Sequence, residues 1–447
     1  MPKYFGTDGI RAVAGQFPLT EDFVAKLGYS ALKELGKNHT SKTVIMAEDS
    51  RQSGPQIAKW LERGINAAGF DILHLGIAPT PAVSYLTAKK NAVCGIVISA
   101  SHNPAEFNGI KFFGNTGKKL SEDLESIIEA SVENTKEIPP AAEGVKMIVD
   151  SSALKEYTDF LKSTVPQGLN FKGVKVVLDC ANGAVCKTAP QVFKELGADT
   201  IVINDKPTGL NINENAGALH TESMQKTVAE NNALMGFSFD GDGDRLIAAD
   251  EEGCKLDGDN IICAEALYLK QKGRLKKNKV AITVMANLGL INFLKQNGVE
   301  PLLTAVGDKY VCEALEKEDL SLGGETSGHI ILRDIMGTGD GTLCALQLLS
   351  LALETAQKPS IFRKQWGKYP QELLQVKVSQ KTPLEQVRGF LDFVKELEGQ
   401  MGGKGRIFVR YSGTEPLLRI LVEGEDKNRV ETFAKQIADF YKEAQNL

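Results

Sequence analysis

The sequence contains no run of about 18 consecutive apolar residues, so no segment of it is expected to cross a membrane as a helix. The opening residues, Met1-Pro2-Lys3-Tyr4-Phe5, carry no apolar stretch of the kind that directs secretion. There is no Cys-x-x-Cys pair. The seven cysteines (Cys94, Cys180, Cys186, Cys254, Cys263, Cys312 and Cys344) are odd in number, and most sit in apolar surroundings such as Leu178-Asp179-Cys180-Ala181. This speaks against a disulfide framework or a thiolate zinc site and for reduced, buried thiols in a cytoplasmic protein. Positive charge is not in excess. With 52 Lys and Arg against 57 Asp and Glu, the net charge of -5 argues against a nucleic-acid-binding surface spread over the whole protein. It leaves room for a local basic pocket. Low-complexity tracts and short repeats are also missing. What remains is an ordinary globular composition. At roughly 100–200 residues per domain, the 447 residues suggest three or four domains.

Short apolar runs alternate with helical patterns from the start. Thr43–Ala47 reads as a buried strand. Before it, Phe23, Val24, Leu27, Ala31, Leu32 and Leu35 mark one helix face, with Thr20 available as N-cap. Strands are predicted at Ile72–Leu75, Val93–Ile98, Val174–Leu178, Thr200–Ile203 and Val280–Val284, and helices at 188–196 and 288–297. Such repetition implies α/β layers with parallel or mixed sheets. The last ~75 residues differ. Strands are predicted at Leu373–Val378, Arg406–Val409 and Leu417–Val422, with helices at 383–399 and 427–445, a small α+β domain. The loops at Ile138–Ala142 and Asp250–Gly253, and around Pro359 and Pro370, give the expected boundaries. These are 1–150, 151–253, 254–368 and 369–447.

Four polar, glycine-rich segments interrupt the apolar strands. Ser99-Ala100-Ser101-His102-Asn103-Pro104 follows a strand, so it lies at a sheet's carboxyl edge, where α/β proteins place their sites. A plain turn is the competing reading, since Ser, Asn and Pro are turn residues. Asp240-Gly241-Asp242-Gly243-Asp244-Arg245 places three carboxylates at alternate positions, the donor set of a hard cation. A calcium loop of EF-hand type fails at its sixth position, which needs glycine and has Arg245. In Gly323-Gly324-Glu325-Thr326-Ser327-Gly328-His329, Glu325 and Ser327 could hydrogen-bond sugar hydroxyls and His329 could carry a proton. A loop with a satisfied histidine is the alternative. Arg410-Tyr411-Ser412-Gly413-Thr414-Glu415-Pro416, with Arg419 beyond, offers a phosphate clamp or else a salt-bridged turn.

Further segments stand in order with these four. They are Phe5-Gly6-Thr7-Asp8-Gly9-Ile10-Arg11, Asp49–Gly54, Asn108-Gly109-Ile110-Lys111, Asp179–Ala184 and Gly209–Asn213. Together they resemble the α-D-phosphohexomutase superfamily over essentially the whole chain. The greatest similarity is to bacterial members acting on glucosamine phosphates. The resemblance implies three similar α/β domains with mixed sheets and a smaller C-terminal α+β domain around a central active-site cleft. It implies that Ser101 is the phosphorylated nucleophile, and that Asp240, Asp242 and Asp244 bind magnesium (Mg2+) together with a phosphate oxygen on Ser101. Arg11 and Lys111 match residues bordering the reacting phosphoryl group, and Arg245 matches one near the substrate. Glu325 and Ser327 match the sugar-hydroxyl pair. Arg410, Ser412, Gly413, Thr414 and Arg419 match the clamp for the non-reacting phosphate. Departures from the usual pattern are Ala12, Glu48, Ala216 and Thr326, the last lying between the two sugar-reading residues.

The implied reaction interconverts hexosamine 6- and 1-phosphates through a 1,6-bisphosphate, on the path to UDP-N-acetylglucosamine. A phosphoserine carries roughly -1.5 to -2 charge. The metal, Arg11 and Lys111 would offset it, and closure of the C-terminal domain would exclude water. Lys111 and His329 are the two candidates for the base. The implied partners are the hexosamine phosphate and its bisphosphate, with no nucleic acid and no membrane; a homodimer stays open. A glucose- or mannose-specific mutase and a non-enzymatic calcium-binding module are the competing functions.

Overall fold

Residues Thr43–Glu48 form a strand buried on both faces, as its apolar run predicts. Val44 and Met46 point into one core, Ile45 and Ala47 into the opposite one. Alternate residues of a strand face opposite ways, so a strand apolar at every position must be covered twice. Helix Glu21–Leu35 brings Phe23, Val24, Leu27, Ala31 and Leu32 to the first core, and helix Thr80–Lys89 brings Val83 and Leu86 to the second. Thr20 occupies the N-cap position with extended backbone, but its side chain makes no capping hydrogen bond.

The computed structural model describes residues 3–6, 8–37, 39–412 and 416–445. The chain divides into two compact units, Met1–Met285 with Val299–Lys364, and Ala286–Gly298 with Gln365–Leu447. Among the described residues no helix is long and apolar enough to cross a membrane.

Three mixed sheets make up the strands of the first unit. The first runs Ile10–Val13, Phe107–Gly114, Cys94–Ile98, Thr43–Glu48, Asp71–Ile77, Met147–Val149 in spatial order. The second runs Lys255–Leu256, Leu246–Ala249, Met235–Phe239, Lys175–Asp179, Asp199–Ile203. The third runs Glu300–Thr304, Lys279–Thr283, Leu322–Gly324, Ile330–Leu332. In each, parallel strands give way to an antiparallel hairpin on one side. That hairpin connection carries a polar, glycine-rich segment in each sheet. The Ser101 loop joins Cys94–Ile98 to Phe107–Gly114, the acidic loop joins Met235–Phe239 to Leu246–Ala249, and the Glu325 loop joins Leu322–Gly324 to Ile330–Leu332. The turn at Asp250–Gly253 connects two strands of the second sheet, which thus extends to Leu256.

The second unit contains an antiparallel sheet in the order Gln371–Lys377, Leu417–Gly424, Gly405–Tyr411, packed on helices Phe390–Gln400 and Lys427–Gln445. Two expectations change here. The single helix expected over 383–399 is a short 3-10 turn, Leu384–Gln386, followed by a helix that starts at Phe390. Gly389 lies between them at φ 72°, a left-handed conformation through which no right-handed helix continues. The helix expected at 288–297 forms at Leu288–Gln296, but it is grouped with the C-terminal sheet. The Leu288 N–H donates to Glu423 Oε1 at 2.7 Å, and Asn287 Nδ2 donates to the Tyr369 carbonyl at 3.0 Å.

Candidate active site

Ser101 is fully buried and sits at φ 53°, in the left-handed region. A serine pays roughly 1–2 kcal/mol for that conformation, so the surroundings must impose it. The Ser101 N–H donates to Ser99 Oγ at 2.8 Å, and Ser99 Oγ donates to Asp49 Oδ2 at 2.6 Å. The buried Arg51 guanidinium donates to Asp49 Oδ2 at 2.9 Å, to the Ser101 carbonyl at 2.9 Å and to the Asn103 carbonyl at 2.8 Å. Asn213 Nδ2 reaches the same two carbonyls at 2.9 and 3.1 Å. With its backbone held from behind, the loop presents Ser101 Oγ to Asp240 Oδ2 at 2.6 Å. His102 Nδ1 lies farther from that oxygen, at 3.3 Å. Burial, with Arg245 and Arg11 nearby, pushes the His102 imidazole down to about 4.

The acidic loop meets this serine because Gly241 has no side chain. A Cβ there would come 2.6 Å from the Ser101 carbonyl oxygen. The Asp240, Asp242 and Asp244 carboxylates are buried, and one oxygen of each lies within 4.8 Å of the others. Lys111 Nζ balances part of this charge, at 2.7 Å from Asp242, 2.8 Å from Asp8 and 3.4 Å from Asp244. Thr80 Oγ1 adds a hydrogen bond to Asp242 at 2.5 Å. Burial and then the neighbouring Asp244 and Asp242 carboxylates raise the Asp240 carboxyl well above the usual range. Burial opposes ionisation of Asp244 too, but Lys111 and His329 outweigh it and hold that carboxyl well below the usual range. Asp242 Oδ1 and Asp244 Oδ1 are buried with no hydrogen-bond partner. Orphaned acceptors of this kind are costly unless something fills the site. Three carboxylates with open oxygens fit a hard cation such as magnesium. The loop joins two strands, where an EF-hand would join two helices.

The Glu325 loop lies edge to edge with the acidic loop. Arg245 and His329 form an antiparallel bridge, and the Leu246 N–H donates to the Gly328 carbonyl at 3.0 Å. His329 is buried, with Nδ1 3.7 Å from Asp244 Oδ1 and Nε2 3.6 Å from Asp308 Oδ2. Burial disfavours its charged form, but Asp244 and Asp308 together raise its pKa. Glu325 is half-buried and accepts the Gly307 N–H at 3.1 Å, while Ser327 is exposed. The Thr326 hydroxyl is engaged by Asp259 at 2.8 Å. Arg11 donates to Asn103 Oδ1 at 3.4 Å and pairs with Asp8, so it spans the Ser101 loop.

In the second unit, Arg410 and Arg419 stand directly opposite each other on neighbouring antiparallel strands. Leu418 and Ile420 point into the core, which leaves both arginines on the other face. Like charges directly opposite are destabilising. Burial and then Arg419 hold the Arg410 guanidinium below its ordinary pKa. Such a pair is suited to an anion. The Ser412 N–H donates to the Leu417 carbonyl at 2.8 Å. Gly413 and Thr414, expected in the same clamp, lie outside the described residues.

The fold therefore brings Ser101, the three aspartates, Lys111, Arg11, Arg245 and His329 together, with Glu325 on the adjoining loop. Sequence reasoning assigned no role to Asp8, Asp49, Arg51 or Asn213, although all four lie in segments it singled out. It passed over Thr80, Lys119 and Asp308 altogether, since none belongs to a glycine-rich or acidic cluster.

Comparison with known proteins gives the following matches. Four successive models described as phosphoglucomutase/phosphomannomutase match the chain. They are alpha/beta/alpha domain I over 2–139, domain II over 155–253, domain III over 257–369 and the C-terminal domain over 373–440. A phosphoglucosamine mutase from Vibrio campbellii is 45% identical over 441 residues, covering 98% of each chain. A solved phosphoglucomutase/phosphomannomutase family protein from Burkholderia thailandensis superposes with a TM-score of 0.80 at 20% identity, covering 99% of this chain and 98% of the other. The N-acetylphosphoglucosamine mutase of Aspergillus fumigatus, solved with GlcNAc-6P and magnesium, superposes with a TM-score of 0.69 at 17% identity, covering 100% and 96%.

Proposed function

We propose that this chain, which belongs to the phosphoglucomutase/phosphomannomutase family, interconverts glucosamine 6-phosphate and glucosamine 1-phosphate through a phosphoserine at Ser101. The full-length 45% identity to a phosphoglucosamine mutase supports the sugar. The observation that carries the role of Ser101 is its 2.6 Å contact with Asp240, in a cluster whose Asp242 and Asp244 keep unsatisfied oxygens.

Phosphoryl transfer is mostly positioning and charge stabilisation. The phosphoryl group leaves Ser101 Oγ and bonds to the free sugar hydroxyl, whose proton passes to neutral His329, since, against burial, Asp242, Asp8 and Asp244 hold Lys111 in its charged form. The 1,6-bisphosphate turns around, and its other phosphoryl group returns to Ser101. Asp240, Asp242 and Asp244 would hold Mg2+, which when bound offsets phosphate charge and polarises the phosphoryl oxygens. Arg11 and Lys111 add positive charge beside the transferred group. Arg245, Glu325 and Ser327 contact the sugar. Arg410, Ser412, Gly413, Thr414 and Arg419 take the phosphate that is not reacting. The free cysteines support a cytoplasmic compartment.

The test assays glucosamine, glucose and mannose 1-phosphates in parallel and weighs the intact protein. Glucosamine 1-phosphate is expected to give the highest kcat/KM. A species heavier by one phosphoryl group is expected in the wild type and absent in Ser101→Ala, which should retain under a few per cent of turnover. A preference for glucose or mannose would reassign the sugar. Turnover by Ser101→Ala above that level would overturn the covalent role.

A further inference from the structure

Lys119 is a cation shared by two carboxylates from distant parts of the first unit. Its Nζ lies 2.5 Å from Asp8 Oδ1 and also contacts Asp308 Oδ2. Each carboxylate serves a different side of the site. Asp8 holds Lys111 at 2.8 Å and pairs with Arg11, beside the Ser101 loop. Asp308 lies 3.6 Å from His329 Nε2 and directly follows Gly307, whose N–H holds Glu325 at 3.1 Å. Through Asp8, Lys111, Asp244, His329 and Asp308, the contacts form a closed circuit that returns to Lys119. Asp8 and Lys119 fall in the matched domain I, and Asp308 and Glu325 in domain III. Other contacts along this seam are ionic too, with Lys309 Nζ 2.9 Å from Glu125 and Lys118 Nζ 2.8 Å from Glu316.

An ionic seam behaves differently from an apolar one. It contributes little net stability, but it specifies geometry, and loss of one partner leaves the others uncompensated. Without Lys119, the Asp8 and Asp308 carboxylates would be left close together with like charge. They would move apart, taking Lys111 and Arg11 away from Glu325 and His329. Phosphoryl transfer is sensitive to displacements of about 1 Å between reacting groups.

We infer that Lys119 is a positioning residue that keeps the sugar-reading loop in register with the phosphoserine loop, resting on the function proposed above. It touches neither the phosphoryl group nor the proton. Its task is to keep the bisphosphate aligned while that intermediate turns. A loosened seam lets the intermediate escape before it rephosphorylates Ser101.

The experiment compares full-length wild type, Lys119→Met and Lys119→Arg, with Ser101→Ala as a control. A cavity of about 160 Å³ lined in part by Ser121, Lys309 and Cys312 adjoins Lys119. Lys119→Met is expected to lose about tenfold in kcat, with KM changed less than threefold. Intact mass after turnover should show Ser101 losing its phosphoryl group, and added glucosamine 1,6-bisphosphate should restore part of the rate. Lys119→Arg should stay within a few-fold of wild type on all three readouts. The inference is overturned if Lys119→Met keeps wild-type kcat and a phosphorylated Ser101. It is equally overturned if both variants lose activity only in proportion to a lowered Tm, without rescue by the bisphosphate. Turnover by Ser101→Ala would instead fail the phosphoserine reading, whatever Lys119 does.

Discussion

The reacting centre and the arginine pair of the C-terminal sheet handle charge in opposite ways. Around Ser101, carboxylates and cations alternate. Lys111 sits among Asp8, Asp242 and Asp244, Arg51 against Asp49, and Lys119 between Asp8 and Asp308. In the C-terminal sheet, Arg410 and Arg419 face each other directly. The first arrangement is held by its own contacts and can be buried. The second sets two guanidiniums side by side on one sheet face, an arrangement that an arriving anion would favour. Removing a charged group should therefore cost more structurally in the first place than in the second.

The largest effect is expected at the centre. Asp242→Asn removes a partner of Lys111 and Thr80 as well as one carboxylate of the proposed cation site. It should lower kcat roughly 10²-fold or more and abolish the rise in Tm expected when magnesium is added to the wild type. A magnesium titration that matches wild type would break the assignment of the acidic loop. At the clamp, Arg419→Met should raise KM for the sugar phosphate by about tenfold to a hundredfold, with a smaller change in kcat. Its Tm without ligand should change little, since relief of a like-charge pair is worth on the order of 0.2–1 kcal/mol and offsets the loss of the side chain's own contacts. A marked fall in Tm would show that Arg419 is structural and erase the contrast.

The smallest effect concerns Glu48, a buried carboxylate next to the Asp49–Arg51 pair, whose Oε2 has no hydrogen-bond partner. Burial, and then Asp49, raise its carboxyl from the usual 4.5 to about 7. Below pH 4.5 the group is protonated whether the chain is folded or unfolded, so it contributes no slope there. Between 4.5 and about 7 the unfolded chain ionises first while the folded chain keeps its proton. Stability then falls as pH rises through this window and levels off above it. Glu48→Gln should remove that slope, on the order of 1–2 kcal/mol after allowance for partial access to water. Denaturation of both proteins at pH 5 and pH 8 measures it; equal slopes would show that Glu48 is already compensated.

Much of this architecture could be read from the chain. Strand positions followed apolar runs, and the mixed sheets followed strand–helix alternation. The donor set of the cation site was visible because alternating Asp and Gly is a local pattern. The facing of the two arginines was not legible in the same way. Residues of a strand alternate between faces, and the pairing register of the two strands sets Arg410 opposite Arg419. Amphipathic periodicity misled over 383–399, because it does not register the left-handed turn at Gly389. Helix Leu288–Gln296 has a clear apolar face, yet its pattern could not say which core it would join.

The amino-acid sequence alone determined where the strands turn, which loops carry the polar, glycine-rich segments, and that three carboxylates would share one point. These depend on neighbours a few residues apart, whose geometry the backbone sets. Only the tertiary structure decided how the charge at Ser101 is balanced. Lys111 meets Asp242 across 131 positions, and Lys119 meets Asp308 across 189. A lone lysine carries no local signature of its partner, because Coulombic pairing depends on distance in space and not on separation along the chain.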